Sequence, residues 1–336
     1  MIISDKQELR RCVKQLVRRA DICEGDLSFD FADGALGVEP MLAHWAHSSV
    51  SPGETLRRAV ADQTPFHDDA VAMFAALGAM DFPVHDPERA EAMRAQYERP
   101  AYLREVLDTA RTKCVLVRVP MEQPARFEDD RCEPLLCVGA FVPGRYGVDY
   151  AAKAQQIAQS AGVCSARNLL MTVYDAQALR YCVLPACQDE GLALHIRLQT
   201  REQVEEFTQL LDEFEGVRAL ASSPEEGALI EAAAQRVRLL VRLESPAGIG
   251  HALSRLGTRF VAFSACADQP ELMLGRWITA REAIWPALAQ AYLPLARAGF
   301  ELQSSMIERD VRRLLCDNLL ALCRPESGRS TAGDAI

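Results

Sequence analysis

Seven short apolar runs, spaced by segments of helical periodicity, dominate the chain between residues 113 and 265. They are KCVLVRV (113–119), LLCVGAFV (135–142), NLLMTVY (168–174), LALHIRL (192–198), VRALAS (217–222), VRLLVRL (237–243) and RFVAFSA (259–265). Near-continuous apolar runs of this length suit strands covered on both faces, as in a parallel sheet. Between them the period changes: in 201–215, Val204, Phe207, Leu210, Leu211 and Phe214 recur at intervals of three or four, which is the stripe of an amphipathic helix. Strand and helix in repetition predict an α/β fold with a parallel sheet.

Closing that sheet into a (β/α)8 TIM barrel requires an eighth strand. ADICEGDLSFDF at 20–31 supplies it, after an N-terminal helix over 6–19. Residues 34–112 then break the rhythm with several helical pieces, predicting a helical insertion after the first strand. Barrels of this kind place their reactive groups at the strand C-termini, so the insertion is expected to roof the site. A long helical region at 270–298 and a last helix near 307–323 follow the eighth strand, and the small, polar stretch 324–336 predicts a disordered tail,. Residues 1–323 thus read as one barrel domain. Ser223-Pro224-Glu225-Glu226 and Ser245-Pro246 have the composition of capped helix starts,.

The 336 residues are 49% hydrophobic and 25% charged, enough to bury a large core,. Lys and Arg number 37 against 47 Asp and Glu, a net charge of −10, and no stretch joins basic with aromatic residues. Nucleic acid is therefore excluded as an expected partner. No run approaches the roughly 20 apolar residues of a membrane span, and the N-terminal stretch lacks the pattern of a secretory leader, so the expected location is cytoplasmic. Eleven cysteines include no Cys-x-x-Cys pair, and Cys114, Cys137, Cys182, Cys187, Cys316 and Cys323 lie in apolar segments. They read as reduced, buried thiols rather than zinc ligands.

The strand ends are the place to search for chemistry. They offer Asp26, Ser28 and Asp30 on the first strand, Arg118 on the second, and Tyr174 and Asp175 on the fourth. The fifth gives His195 and Arg197, the sixth Ser222 and Ser223, the seventh Arg242 and Glu244, and the eighth Ser264, Cys266 and Asp268. His195 and Arg197 share a strand face. Pointing inward they would set a general base beside a carboxylate binder; pointing outward they would reach solvent between helices. Cys266 is a nucleophile if a base activates it and an inert thiol otherwise. Asp268 is a ligand or the cap of a helix starting near Pro270. His44 and His47 lie three apart with no third metal ligand beside them, and His67, Asp68 and Asp69 open a helix. SPAGIGHAL, after the seventh strand, offers backbone N–H groups to an anion,.

The stretch LGTRFVAFSACADQPELMLGRWITAREAIWPALAQAYLPLARAGFELQSSMIERDVRRLLCDNLLAL resembles the C-terminal part of the uronate isomerase family of the amidohydrolase superfamily, and VRALASSPEEGALIEAAAQRVRLLVRLESPAGIGHALSRLG extends the likeness. The resemblance implies a (β/α)8 barrel with a metal held by His-x-His on the first strand and by an Asp at the end of the eighth. At those places this chain carries Asp26 and Ser28, and the stretch from Ser264 to Asp268 with Cys266 best aligned to the aspartate. A further family histidine corresponds to His195 or to Arg197, and paired tryptophans are replaced near Arg242-Leu243. The resemblance therefore implies a small anionic, sugar-acid-like ligand held by Arg197, Arg242, Ser28 and Ser264. His195, Asp26, Asp268 and Cys266 are the candidate catalytic groups. No metal or other cofactor is expected, a divalent ion such as zinc being the alternative. A working isomerase or hydrolase, a noncatalytic partner protein and a homo-oligomer all stay open.

Overall fold

A computed structural model describes residues 5–27, 68–84, 99–120, 129–138, 167–267 and 270–324, with isolated positions between them. Eight parallel strands form its sheet: β1 (Ile22–Leu27), β2 (Thr112–Pro120), β3 (Cys132–Cys137), β4 (Asn168–Met171), β5 (Ala193–Arg197), β6 (Arg218–Ser222), β7 (Leu239–Arg242) and β8 (Phe260–Val261). Neighbours in the chain are neighbours in the sheet, in the order β1 to β8. This is the (β/α)8 barrel arrangement that the alternating runs predict. The helices described are α1 (Lys6–Arg19), α2 (Asp68–Ala79), α3 (Arg99–Ala110), α4 (Ala176–Ala178 continuing through a π turn, Leu179–Val183, to Leu184–Glu190), α5 (Arg201–Glu213), α6 (Glu226–Ala234), α7 (Ile249–Leu256), α8 (Pro270–Arg297) and α9 (Ser304–Arg312, a π turn at Arg313–Asp317, then Asn318–Cys323). Among the described residues no helix is long and apolar enough to cross a membrane.

Strand alternation separates two cores. On β2, Val115, Val117 and Val119 join the layer between sheet and helices, while Cys114 and Leu116 face the barrel interior. That interior continues through Leu135, Leu170, Ala193, Leu220 and Val261, and it is completed by Cys316, Leu319, Leu322 and Cys323 of α9. The last helix is thus an internal element, a placement that its sequence pattern did not disclose.

Its position explains how the sheet ends. Among the described residues β8 pairs with β7 and β1 with β2, and no pairing joins β8 to β1. The run at 259–265 predicted a longer last strand, but only two residues are in the ladder. Beyond Val261 the backbone is drawn elsewhere: the N–H of Ala262 donates to the carbonyl of Leu314 at 3.0 Å. Asn318 Nδ2 donates to the carbonyls of Thr258 and Phe260 at 2.6 and 2.7 Å. α9 therefore satisfies, in the seam, backbone groups that a neighbouring strand would otherwise take.

The two described helices of the insertion, α2 and α3, are held against α8. A Cβ on Gly275 would lie 1.7 Å from the carbonyl oxygen of Ala72, so α2 and α8 touch backbone to backbone at a position only glycine allows. Tyr102 of α3 donates to Glu271 of α8 at 2.7 Å, both side chains buried. Arg281, also buried, donates through Nη2 to the carbonyls of Ala20 and Ala110 at 2.9 and 3.0 Å. These carbonyls end α1 and α3, where helix geometry leaves acceptors without intrahelical donors. Burial brings the Arg281 guanidinium down to about 10.

Candidate active site

At the C-terminal ends of the strands a cavity of about 630 Å³ opens between the barrel rim, α8 and α2. Arg197 reaches it from the end of β5, Arg242 from the end of β7, and Ser264 and Cys266 from the segment after β8. Arg276 and Thr279 of α8 form one wall, and Val71 and Ala72 of α2 another. The insertion thus borders the cavity, where the sequence predicts a roof.

Polar residues on strands buried on both faces require partners. Arg242 is 5% exposed and donates from Nη2 to Ser222 Oγ on the adjacent strand at 3.0 Å. Arg276 Nη1 donates to the carbonyls of Ala265 and Cys266 at 2.8 and 3.1 Å. Cys266 has φ 48°, a left-handed conformation that costs a non-glycine residue free energy and persists where its surroundings impose it. Here the grip of Arg276 on two successive carbonyls supplies that constraint. Cys266 Sγ lies 3.7 Å from Ser264 Oγ.

Behind this rim lies a carboxylate that the strand-end search passes over. Glu24 of β1 is fully buried. Its Oε1 accepts from Ser264 Oγ at 2.5 Å, and its Oε2 accepts from the N–H of Ala265 and from Trp277 Nε1, both at 2.8 Å. Three donors from two segments far along the chain converge on one group, tying β1 to the β8 end and to α8. Trp277, itself fully buried, stacks edge-on against Phe263 with centroids 5.0 Å apart. A buried indole needs an acceptor for its N–H, which was the one cue to Glu24 in the sequence.

His195 and Arg197 both point inward, on the same side as Ala193,. They differ in depth. Arg197 borders the cavity, whereas His195 is 2% exposed, and its Nε2 lies 3.3 Å from Asn168 Oδ1. Asn168 opens β4, and β4 pairs its Leu170 with His195, so this contact runs toward the lower barrel, away from the rim. Of the other strand-end groups, Asp175 caps α4 by accepting from the N–H groups of Gln177 and Ala178, each at 3.0 Å. Tyr174 donates to Glu206 at 2.9 Å. Arg118 is half-buried on β2. Asp26 lies in β1, with its side chain outside the described residues, as are Ser28, Asp30, Asp268, His44, His47 and His67.

The two predicted helix starts resolve differently. Ser245 accepts from the N–H of Ala247 at 3.2 Å, as expected of a cap. Ser223 accepts only from the N–H of Glu225, at 3.1 Å, and the helix begins at Glu226. Glu226 bonds outside its own helix. Its Oε1 accepts from the N–H groups of Glu244 and Ser245 at 2.7 and 3.1 Å. Of the SPAGIGHAL backbone donors, the N–H of Ser245 is thus engaged by the chain's own carboxylate.

The divalent ion implied by the family resemblance needs several preplaced N, O or S ligands. Among the described residues no group of three His, Cys, Asp or Glu is placed to hold a metal ion. Glu24 accepts three hydrogen bonds on its two oxygens, and three guanidinium groups border the cavity. The described residues do not fit such an ion.

No protein-family model and no curated protein matches this chain. Solved structures do. A uronate isomerase from Bacillus halodurans superposes with a TM-score of 0.74 at 14% identity, covering 96% of this chain and 97% of the other. A uronate isomerase from Thermotoga maritima gives a TM-score of 0.62 at 11% identity over 94% and 97%. Over these spans the chain shares the fold of these proteins, with little of their sequence.

Proposed function

We propose that this uronate-isomerase-like barrel binds a small anionic, sugar-acid-like ligand in the cavity at its strand C-termini, and does so without a divalent metal. One observation carries the reading: Arg197, Arg242 and Arg276, from two strands and a helix, border a single cavity in which Glu244 is the one carboxylate among the described walls. Guanidinium groups pair with carboxylates in a fixed, forked geometry, and Ser264 and Thr279 offer hydroxyls to the rest of a polyhydroxylated ligand. The bonds from Arg242 to Ser222 and from Arg276 to the turn at Cys266 preorganise two of the three cations. In this reading Arg197 and Arg242 anchor the carboxylate. His195, held against Asn168 below them, supports the cavity floor rather than exchanging a proton with the ligand. The fold of uronate isomerases supports the sugar-acid class, and the three guanidinium groups among the described walls support a site for an anion rather than for a cation. The many cysteines outside any disulfide or zinc spacing support a reducing, cytoplasmic location.

Calorimetric titration with glucuronate and galacturonate tests the reading. The wild type is expected to give saturable heat that survives prior treatment with a chelator, and Arg197→Ala to weaken binding by about 10–100-fold, the usual loss for a charge-assisted pair. Absence of heat with any uronate overturns the ligand class. Zinc or manganese near one equivalent, in protein purified without chelators, overturns the metal-free part.

A further inference from the structure

Four cysteines belong to the buried barrel interior: Cys23 of β1, Cys114 of β2, and Cys316 and Cys323 of α9. Two of them are in direct contact. Cys23 Sγ and Cys316 Sγ lie 2.9 Å apart, 293 positions apart in the chain, and both side chains are buried, at 1% and 4% exposure. The contact sits in the seam, where β1 and β8 are bridged by the π turn of α9 rather than by strand pairing.

We propose that Cys23 and Cys316 are an oxidation site whose disulfide staples the C-terminal helix into the barrel seam. The oxidant is a peroxide, small enough to enter an interior closed to larger disulfides. Cys316, as thiolate, attacks one peroxide oxygen and breaks the O–O bond. This gives the Cys316 sulfenic acid and a hydroxide that the displaced thiol proton converts to water. The sulfur of Cys23 then attacks the sulfenic sulfur, expels its oxygen as a second water and completes the S–S bond. Two thiols lose two electrons, and one peroxide is reduced to two waters. Either sulfur can donate in the S–H···S contact; the contact lowers the Cys316 thiol and raises that of Cys23, which favours Cys316 as the first to attack, and the same disulfide and the same two waters result with the roles exchanged. A thiol reductant reverses the step.

The staple acts in the layer below the cavity. One turn beyond Cys316, Leu319 Cδ2 lies 3.2 Å from the position of a Cβ on Gly25, and Ser264 Oγ lies 3.7 Å from it. Fixing α9 therefore fixes the layer directly beneath the Glu24–Ser264 contact. Because the loop it closes spans most of the chain, the disulfide restricts the unfolded state strongly, and the oxidised protein is expected to melt about 5–10 °C higher.

The test treats the folded, full-length protein with hydrogen peroxide, alkylates the remaining thiols under denaturing conditions and maps crosslinked peptides by mass spectrometry without reduction. The expected product is a Cys23–Cys316 peptide pair, lost on treatment with dithiothreitol, together with a raised Tm that Cys316→Ser does not show. A different pairing overturns the proposal, Cys114 with Cys323 being the nearest competitor. So does alkylation of both Cys23 and Cys316 at doses that oxidise Cys266, or an equal rise in Tm in the Cys316→Ser protein. The mapping needs no variant, so it decides the pairing even if the Cys316→Ser chain fails to fold.

Discussion

The lower and upper halves of the barrel interior are built from the same strands and filled by different chemistry. Toward the strand N-termini, Leu116, Leu135, Leu170 and Leu220 close on Leu319 and Leu322 of α9, and none is more than 5% exposed. Toward the C-termini, β5, β6 and β7 end in Arg197, Ser222 and Arg242 at the cavity or against its walls. The change takes two residues per strand, since alternation brings the same face back after about 6–7 Å. A parallel sheet tolerates polar groups on this face only where they pair or face a cavity, so the division marks where packing ends and the cavity begins. If the division holds, lower substitutions should cost stability and spare the rim, while rim substitutions such as Arg197→Ala should weaken ligand binding and leave Tm nearly unchanged.

The contact between the halves should be the most sensitive. Glu24→Ala strands the Ser264 hydroxyl, the Ala265 N–H and the Trp277 indole in a dry layer, and is expected to lower unfolding free energy by about 4 kcal/mol. Chemical denaturation of Glu24→Ala beside Glu24→Gln, which keeps one acceptor oxygen, measures it. Equal losses in the two variants would show that packing rather than hydrogen bonding binds β1 to the β8 end. Within the lower half, Leu319→Ala is expected to cost about 3 kcal/mol through lost contact and a residual cavity, with the uronate affinity of the surviving folded protein within about threefold of wild type. A larger drop in affinity would mean that α9 shapes the binding layer as well as the core.

The smallest effect expected lies at the lower rim, where Asp129 accepts from Arg131 Nε and Nη2, each at 2.8 Å, and from its backbone N–H at 3.0 Å. Those bonds hold the Asp129 carboxyl below its usual range. A carboxyl depressed in the folded state contributes stability above its unfolded pKa of about 3.9, and that contribution is lost as pH falls through the folded value. Asp129→Asn should therefore be less stable than wild type by about 1.5 kcal/mol at neutral pH, with the gap narrowing from about pH 4 downward. Urea titrations at pH 7 and pH 3 check this, and a gap unchanged at pH 3 would assign the loss to packing.

How much the sequence disclosed depends on the range of each interaction. Strands and their helices are local periodic patterns, so the runs around Val115, Leu194 and Ala219 placed their strands within one or two residues. Arg197, Arg242 and Ser264 could be proposed as ligand contacts because polar residues at the ends of apolar runs stand out. Alternation alone put His195 and Arg197 on one face, but depth along the barrel depends on the rim, which the strand does not record. Glu24 escaped notice because its three partners lie at least 240 positions away. Arg276 was not among the candidates, because its partners, the carbonyls of Ala265 and Cys266, are set by a turn that no local pattern records. The shortness of β8 was unreadable for the same reason, since its missing ladder bonds go to a helix more than 50 residues further on.

Because the last helix completes the interior, the order of synthesis matters to how this barrel matures. A nascent chain that has just released residue 303 already contains all eight strands, yet Leu116, Leu135 and Leu220 still await the side chains that cover them. Until residues 304–323 clear the ribosome the seam presents oily surface to its surroundings, an interval in which a chaperone would find its grip and after which it would lose it.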